Sequence, residues 1–195
     1  LQTYRAEGFL QHDWKISKEK FITYHDSIVP QWKELNISSG LRANYWTLNG
    51  QTVFSPRVRL TYFPGWMKFK NEKVMRRNIV LRMAAGVYYQ PPFYRELRDI
   101  AGNHNYDLKA QRSIHLITGG DVFFKMWDRV FMFTTEAYFK YLTDIVPYEI
   151  DNVRIRYYAQ NNAKGYATGI DFRINGEFIK GIQSWSTLSV LKTVE

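Results

Sequence analysis

Apolar and polar residues alternate along much of the chain. In one stretch, Leu35, Ile37 and Leu41 occupy alternate positions, and Arg42 is among the polar residues between them. A period of two is typical of a β-strand with one apolar and one polar face. The pattern predicts about eight strands, over residues 3–16, 33–46, 55–63, 77–89, 110–126, 130–142, 165–178 and 183–194.

Several of these stretches are longer than strands of soluble sheets, and a strand that crosses a bilayer needs about 9–11 residues. Charges stand in the middle of the polar face, at Arg42, Arg59, Arg82, Glu136, Asp171 and Arg173. Aromatic residues near strand ends suit a membrane-interface girdle, and they are Trp14, Trp46, Tyr62, Tyr89, Phe124, Trp127, Phe178 and Trp185. Alternation alone fits a transmembrane barrel and a soluble β-barrel equally well.

The connections differ in length. Residues 127–129 and 179–181 are predicted tight turns, whereas 90–109 and 146–160 are long loops. Within the first long loop, we expect a short helical turn that includes Phe93, Arg95, Leu97 and Arg98, with Leu97 packed inward. Short turns at one end and long loops at the other are typical of outer-membrane barrels. Two links, 17–32 and 65–76, are long where short turns are expected.

Composition restricts how the chain could contact a membrane. Aromatic residues make up 17% of the chain, but mean hydropathy is −0.40 and no apolar run approaches the roughly 18 residues of a membrane helix. Any membrane contact must therefore come from strands. The net charge of +9 is spread over alternate strand positions, so we expect no nucleic-acid partner.

Catalytic and metal chemistry have little support in the sequence. Cysteine is absent, which excludes disulfides and thiolate metal ligands. The four histidines are scattered without metal-site spacing, and no Gly-x-Ser-x-Gly motif occurs. We expect no catalytic residue, no metal and no cofactor, and interpret the protein as a non-enzyme. Some outer-membrane barrels are hydrolases, so that class stays open.

Seven segments resemble motifs of the TonB-dependent receptors, particularly the Bacteroidetes type. For example, GFLQHDW resembles the family's xFxQDxW strand, and SPRVRLTY resembles SPRxSLxY. The seven segments are residues 8–14, 37–45, 55–62, 86–97, 107–113, 135–140 and 162–171. Each motif is weak alone, but their order and spacing across nearly the whole chain make the resemblance specific.

The resemblance implies part of an antiparallel up-and-down transmembrane β-barrel, about eight strands of a larger barrel that holds a plug. We interpret residues 1–195 as an internal part of one barrel domain, without the plug, signal peptide or closing C-terminal strand. The implied location is the cell outer membrane, and the implied function is TonB-energised ligand uptake. In this orientation, 47–54, 90–109 and 146–160 are extracellular, and 17–32, 65–75 and 127–129 are periplasmic.

The implied partners are the TonB complex, contacted through the missing N-terminal part, membrane lipid and lipopolysaccharide, and an extracellular ligand. A siderophore, cobalamin, a glycan or a peptide would all fit this family. Candidate ligand-binding residues on the extracellular loops are Phe93, Tyr94, Arg95, Arg98, His104, Tyr106, Tyr148, Arg154 and Arg156. Aromatic rings stack on planar ligands and arginines pair with anions. Alternatively, these side chains brace the loops or meet lipopolysaccharide phosphates.

Two other functions remain open from the sequence. One is a passive outer-membrane porin or adhesin, which would lack a plug. The other is a soluble all-β binding protein, which would fold as a monomer without detergent.

Overall fold

The computed structural model describes residues 2–24, 27–70, 73–76 and 78–194. Within them the fold is nearly all β, with one 3-10 helix over Tyr94–Leu97. No helix in these ranges is long and apolar enough to cross a membrane. The strands are β1 Arg5–Tyr24, β2 Ser27–Trp46, β3 Gln51–Phe63, β4 Met67–Lys70, β5 Lys73–Arg76, β6 Ile79–Gln90, β7 Gln111–Met126, β8 Arg129–Ile145, β9 Tyr148–Asp151, β10 Arg154–Tyr157, β11 Ala163–Ile179 and β12 Ile182–Val194.

Eight of these strands form one antiparallel sheet in the order β1-β2-β3-β6-β7-β8-β11-β12. Each strand pairs with the next sheet strand along the chain, which is an up-and-down arrangement, and the eight predicted strands are confirmed. The predicted start of the fourth, Arg77, lies outside the described residues. Within the described ranges β1 does not pair with β12, so the sheet is open, as expected for part of a barrel.

The register gives the sheet two chemically different faces, because directly paired residues lie on the same face. One row across four strands contains Val58, Ala85, Leu116 and Phe139. The apolar face includes Leu10, Trp14, Ile37, Leu41, Val58, Leu60, Met83, Ala85, Ile114, Leu116, Ala137, Phe139, Ile170, Phe172, Leu188 and Val190. Many of these side chains are exposed; Leu116, for example, is 51% exposed.

The opposite face is polar. All the charges predicted at mid-strand lie on it, and its charged residues include Arg5, Glu7, Asp13, Lys15, Glu34, Arg42, Arg57, Arg59, Arg82, Asp121, Glu136, Lys140, Asp171 and Arg173. Two aromatic residues predicted for the girdle, Trp46 and Trp185, also lie on this face. The prediction for them is wrong, because Trp46 pairs opposite Arg5 and is buried, and Trp185 pairs opposite Asn175.

Strands β1 and β2 are each 20 residues long. The prediction that 17–32 is a long link between strands is wrong for its described part, because both strands continue through it as a hairpin. His25 and Asp26, at its tip, lie outside the described residues. Pro30 is tolerated because β2 pairs with β3 only from Glu34 onward, so no third strand needs its N–H.

The second long link also contains regular structure. Strands β4 and β5 form a small hairpin within 65–76. The hairpin follows Pro64 and Gly65, which are buried, and Gln31 of β2 donates a 2.9 Å hydrogen bond to the carbonyl of Gly65. The two irregular links of the sequence therefore contact each other at one end of the sheet.

The predicted tight turns are confirmed at that same end. Trp127 and Asp128 join β7 to β8 with φ of 53° and 57°, the left-handed values of a two-residue hairpin turn. Gly181 has φ of 84° in the turn between β11 and β12.

One seam of the sheet is incomplete. Strands β3 and β6 pair only from Arg57↔Gly86 to Tyr62↔Leu81, so 51–56 and 87–90 do not pair with each other. Pro56 immediately precedes Arg57, the first residue of β3 that pairs with β6, and proline lacks the N–H that would extend this pairing. We call this gap the β3–β6 split.

Candidate functional site

Most buried apolar side chains lie at the end of the sheet that carries the long connections. One cluster contains Trp46, Leu97, Leu108, Val146 and Tyr157, with Leu48 packed against it. These residues come from the 46–51 turn and from both long loops. The core of the described chain therefore lies beneath the loops, where it fixes their positions, rather than within the single-layer sheet.

The first long loop begins with the predicted helical turn. The 3-10 helix over Tyr94–Leu97 is confirmed, with Leu97 buried in the cluster. Glu96 is buried beside it; its carboxylate accepts a 2.8 Å hydrogen bond from the backbone N–H of Phe93 and a 3.3 Å bond from Gln111. A buried carboxylate thus joins the start of the helix to the start of β7.

Amide side chains connect the two long loops. Asn161 accepts from the backbone N–H of Lys109 at 2.7 Å, and donates to the carbonyls of Lys109 and Asp144 at 3.0 and 2.7 Å. Asn105 donates to the carbonyl of Ala159 at 2.9 Å. Because these bonds join backbone groups of the two loops and of the end of β8, the two loops form one assembly. The second loop contains a short hairpin, β9–β10.

A groove of about 750 Å³ opens between the two loops. We call it the loop-end groove. Six predicted ligand-binding residues line it, namely Tyr94, Arg95, Arg98, His104, Arg154 and Arg156. The structure therefore brings together side chains that are up to about sixty positions apart in the sequence.

The other three predicted residues lie next to the groove. Phe93 lies 5.5 Å from the guanidinium of Arg95, and Tyr106 stacks on His104 with ring centroids 5.9 Å apart. Tyr148 lies beside Tyr157, at 6.0 Å. These contacts orient groove residues, so the aromatic side chains both brace the loops and border the groove.

The groove is rich in positive charge. Arg95, Arg98, Arg154 and Arg156 line it, and Asp99 is the carboxylate in its lining. Arg156 forms an ion pair of 2.5 Å with Asp151 of the same hairpin. Arg95 lies between two rings, 5.5 Å from Phe93 and 5.7 Å from Tyr157, which holds its guanidinium over the groove.

Two ionisable groups of the loops have shifted pKa values. Burial raises the pKa of Asp99, but hydrogen bonds from Asn103, Gly102 and Ala101 outweigh it, so the pKa lies below its ordinary value of 3.8. Asp99 is therefore ionised at neutral pH and closes the turn before His104. The pKa of Tyr158 is raised by its hydrogen bond to Glu149 and by the charge of that carboxylate.

A second cavity, of about 410 Å³, lies on the polar face at the β3–β6 split. We call it the split cavity. Arg5, Arg42, Arg57, Glu7 and Trp46 are among its lining residues. No pattern in the sequence indicates this site, because its strand residues come from β1, β2, β3 and β6 and the gap that creates it depends on pairing.

Among the described residues, no group of three or more histidine, aspartate or glutamate side chains could hold a metal ion. Comparisons of the chain with protein-family models, with curated proteins and with solved structures found no match.

Proposed function

We propose that the chain forms part of the wall of an outer-membrane β-barrel, with its apolar face toward lipid and its polar face toward a wet interior. The observation that carries this proposal is the separation of the two faces across all eight strands. A single-layer sheet in water would need a second layer to cover the apolar face. In a membrane, lipid takes that place.

The size of the apolar face supports a lipid environment. Leu10, Leu41, Met83, Leu116 and Phe139 are each exposed by more than two fifths of their surface. Soluble monomers rarely expose contiguous apolar patches larger than a few hundred Å². The open strand edges of β1 and β12 cannot face lipid with unpaired backbone groups. We therefore propose that further strands of the same protein close the barrel.

Cysteine labelling tests the assignment of faces, because the natural chain contains no cysteine. The pair Leu116→Cys and Ile117→Cys places one thiol on each face at the middle of β7. We expect a lipid-soluble maleimide to label Cys at 116 and a charged, water-soluble maleimide to label Cys at 117. Equal labelling of both thiols by the charged reagent would support the soluble β-protein instead.

We further propose that this barrel belongs to a TonB-dependent receptor that imports an extracellular ligand, and that the loop-end groove is part of its binding surface. The seven receptor-like segments support the family, and the clustered arginines and aromatic rings support ligand recognition at this end. The groove chemistry suits a ligand with both planar and anionic groups.

Orientation in the membrane is testable with two exposed positions at opposite ends. One variant replaces Val153, which is 95% exposed in the β9–β10 turn, with cysteine. The other replaces Asp128, in the β7–β8 turn, with cysteine. A membrane-impermeant maleimide applied to intact cells should label Val153→Cys and spare Asp128→Cys until the outer membrane is permeabilised. The reverse pattern would invert the proposed orientation and remove the groove from the extracellular side.

Conductance separates an energised receptor from a passive porin. In a planar bilayer, the full-length protein should show little steady conductance if a plug fills the barrel. Steady ohmic conductance of the unmodified protein would instead favour the porin.

A further inference from the structure

We propose that the split cavity binds a carboxylate group. This goes beyond the proposed function, because the cavity lies on the polar face below the loops and is separate from the loop-end groove. The cavity exists because β3 and β6 stop pairing at Arg57 and Gly86, while β6 continues to pair with β7 up to Gln90. Pro91 and Ala110, at the two ends of the first long loop, complete its lining.

Two hydrogen-bond donors in its lining have no acceptor. Arg42 Nε and Trp46 Nε1 are both buried, and neither has a partner among the described residues. The whole Trp46 side chain is only 3% exposed. Buried donors without an acceptor are rare in folded proteins, and indole and guanidinium nitrogens only donate. Both nitrogens therefore require an acceptor that the described residues do not supply.

The charge of the cavity restricts that acceptor further. Arg5, Arg42 and Arg57 line it, and Glu7 is the only carboxylate that the described residues contribute to its lining. None of these arginines forms an ion pair within the described part of the chain. A neutral carbonyl would satisfy one donor and leave the positive charge unbalanced, and a cation would be repelled. An anion satisfies both requirements.

The fixed positions of the donors favour a planar anion. Arg5 lies over the Trp46 ring at 5.0 Å and donates to the carbonyl of Pro92 at 3.4 Å, so both side chains are held. A carboxylate presents two coplanar oxygens, and guanidinium groups recognise that geometry with paired hydrogen bonds. The carboxylate comes either from a dissolved ligand or from an acidic side chain elsewhere in the protein.

Titration of the full-length protein in detergent micelles with sodium succinate tests the site. We expect saturable binding by calorimetry and a change in tryptophan emission that Trp46→Phe abolishes. Arg42→Gln should weaken succinate binding at least ten-fold, and so should Arg42→Lys, because lysine keeps the charge but lacks the planar fork of donors that pairs with a carboxylate. Arg59→Gln, on the same face but outside the split cavity, should leave binding unchanged.

The same variants distinguish the two sources of the carboxylate. If an acidic side chain of the protein already fills the cavity, succinate will not bind, and Arg42→Gln and Arg42→Lys will lower the melting temperature where Arg59→Gln does not. The proposal is overturned if succinate does not bind and all three variants melt alike. It is also overturned if inorganic phosphate at equal ionic strength binds where succinate does not.

Discussion

Two seams of the sheet differ in how far they are paired. Strands β7 and β8 pair over every position from Arg112↔Thr143 to Met126↔Arg129. Strands β3 and β6 pair over only the stretch from Arg57↔Gly86 to Tyr62↔Leu81. Both seams join long antiparallel strands with alternating faces. The difference shows that strand length and alternation do not by themselves determine how far two strands pair.

The side chains at each seam differ in how they connect the neighbouring strands. At the complete seam, Asp121 of β7 accepts hydrogen bonds from Arg82 of β6, at 2.5 and 2.9 Å, and from Thr134 of β8, at 2.8 Å. This arrangement ties three adjacent strands together on the polar face. At the split, Pro56 cannot donate to a ladder, and Gln51, at the start of β3, accepts a 2.8 Å bond from the N–H of Ala110, which immediately precedes β7.

The largest expected effect comes from adding one methyl group to the complete seam. A Cβ at Gly119 would collide with the carbonyl oxygen of Thr135, whereas a Cβ at Gly40, beside the split, would meet the flexible Arg57 side chain at 3.3 Å. We expect Gly119→Ala to cost about 3 kcal/mol. Gly40→Ala should change stability by less than about 0.5 kcal/mol. Urea unfolding in micelles measures both, and equal midpoints would refute the distinction.

Removal of the three-strand connection should have a smaller effect. Asp121→Ala leaves Arg82 and Thr134 without their acceptor, and because Arg82 is partly solvated we expect a loss of about 2 kcal/mol. Lys15→Ala breaks the exposed Lys15–Glu34 pair and should leave the midpoint nearly unchanged. A similar shift in both variants would mean that Asp121 contributes no more than a surface pair.

Pro56→Val should extend pairing into the split, because valine supplies an N–H and favours strands. We expect a gain of up to about 1 kcal/mol. Slower amide hydrogen exchange at 87–90 would report the new pairing directly. Leu60→Val, within the paired part of β3, is the control and should leave that exchange unchanged. If exchange at 87–90 is also unchanged in Pro56→Val, the loops rather than the proline keep the seam open.

The smallest expected effect is the loss of stability of the Asp99 turn, in the first long loop, at low pH. The folded pKa of Asp99 is lowered, so the ionised carboxylate stabilises its turn at neutral pH. This contribution is present above the ordinary pKa of 3.8 and is lost as pH falls through the lower folded value. The protection of the Gly102 and Asn103 amides, measured relative to their intrinsic exchange rates, should therefore fall below about pH 4. Asp99→Asn should remove most of this pH dependence.

Much of the fold could be predicted from the sequence. Alternation at Leu35, Ile37 and Leu41 identified a strand and its faces, and Trp127-Asp128 identified a tight turn. The helical turn before Leu97 could be predicted too. These features depend on local periodicity or on local turn chemistry, and both can be recognised in a single sequence.

The features that could not be predicted depend on contacts between distant residues. Residues 17–32 lack clear alternation, and among the described residues β3 pairs with β2 only from Glu34 onward, so the extent of this hairpin depends on pairing rather than on a periodic pattern. Trp46 resembled a membrane-interface aromatic but is buried by loops that follow it far along the chain. The candidate loop residues were identifiable by composition, whereas the split cavity required knowledge of which strands stop pairing.

The β1–β2 hairpin has a mechanical consequence. Its last pairs, from Lys18↔Lys33 to Tyr24↔Ser27, lie beyond the end of β3. At about 3.3 Å per residue, they carry the hairpin tip roughly 20 Å past the neighbouring strand. Paired strands are stiffer than a single chain, so a force applied at the tip would be carried along both strands of the hairpin. A body held at its tip would transmit force to the β1 edge of the sheet, where unpaired backbone groups begin.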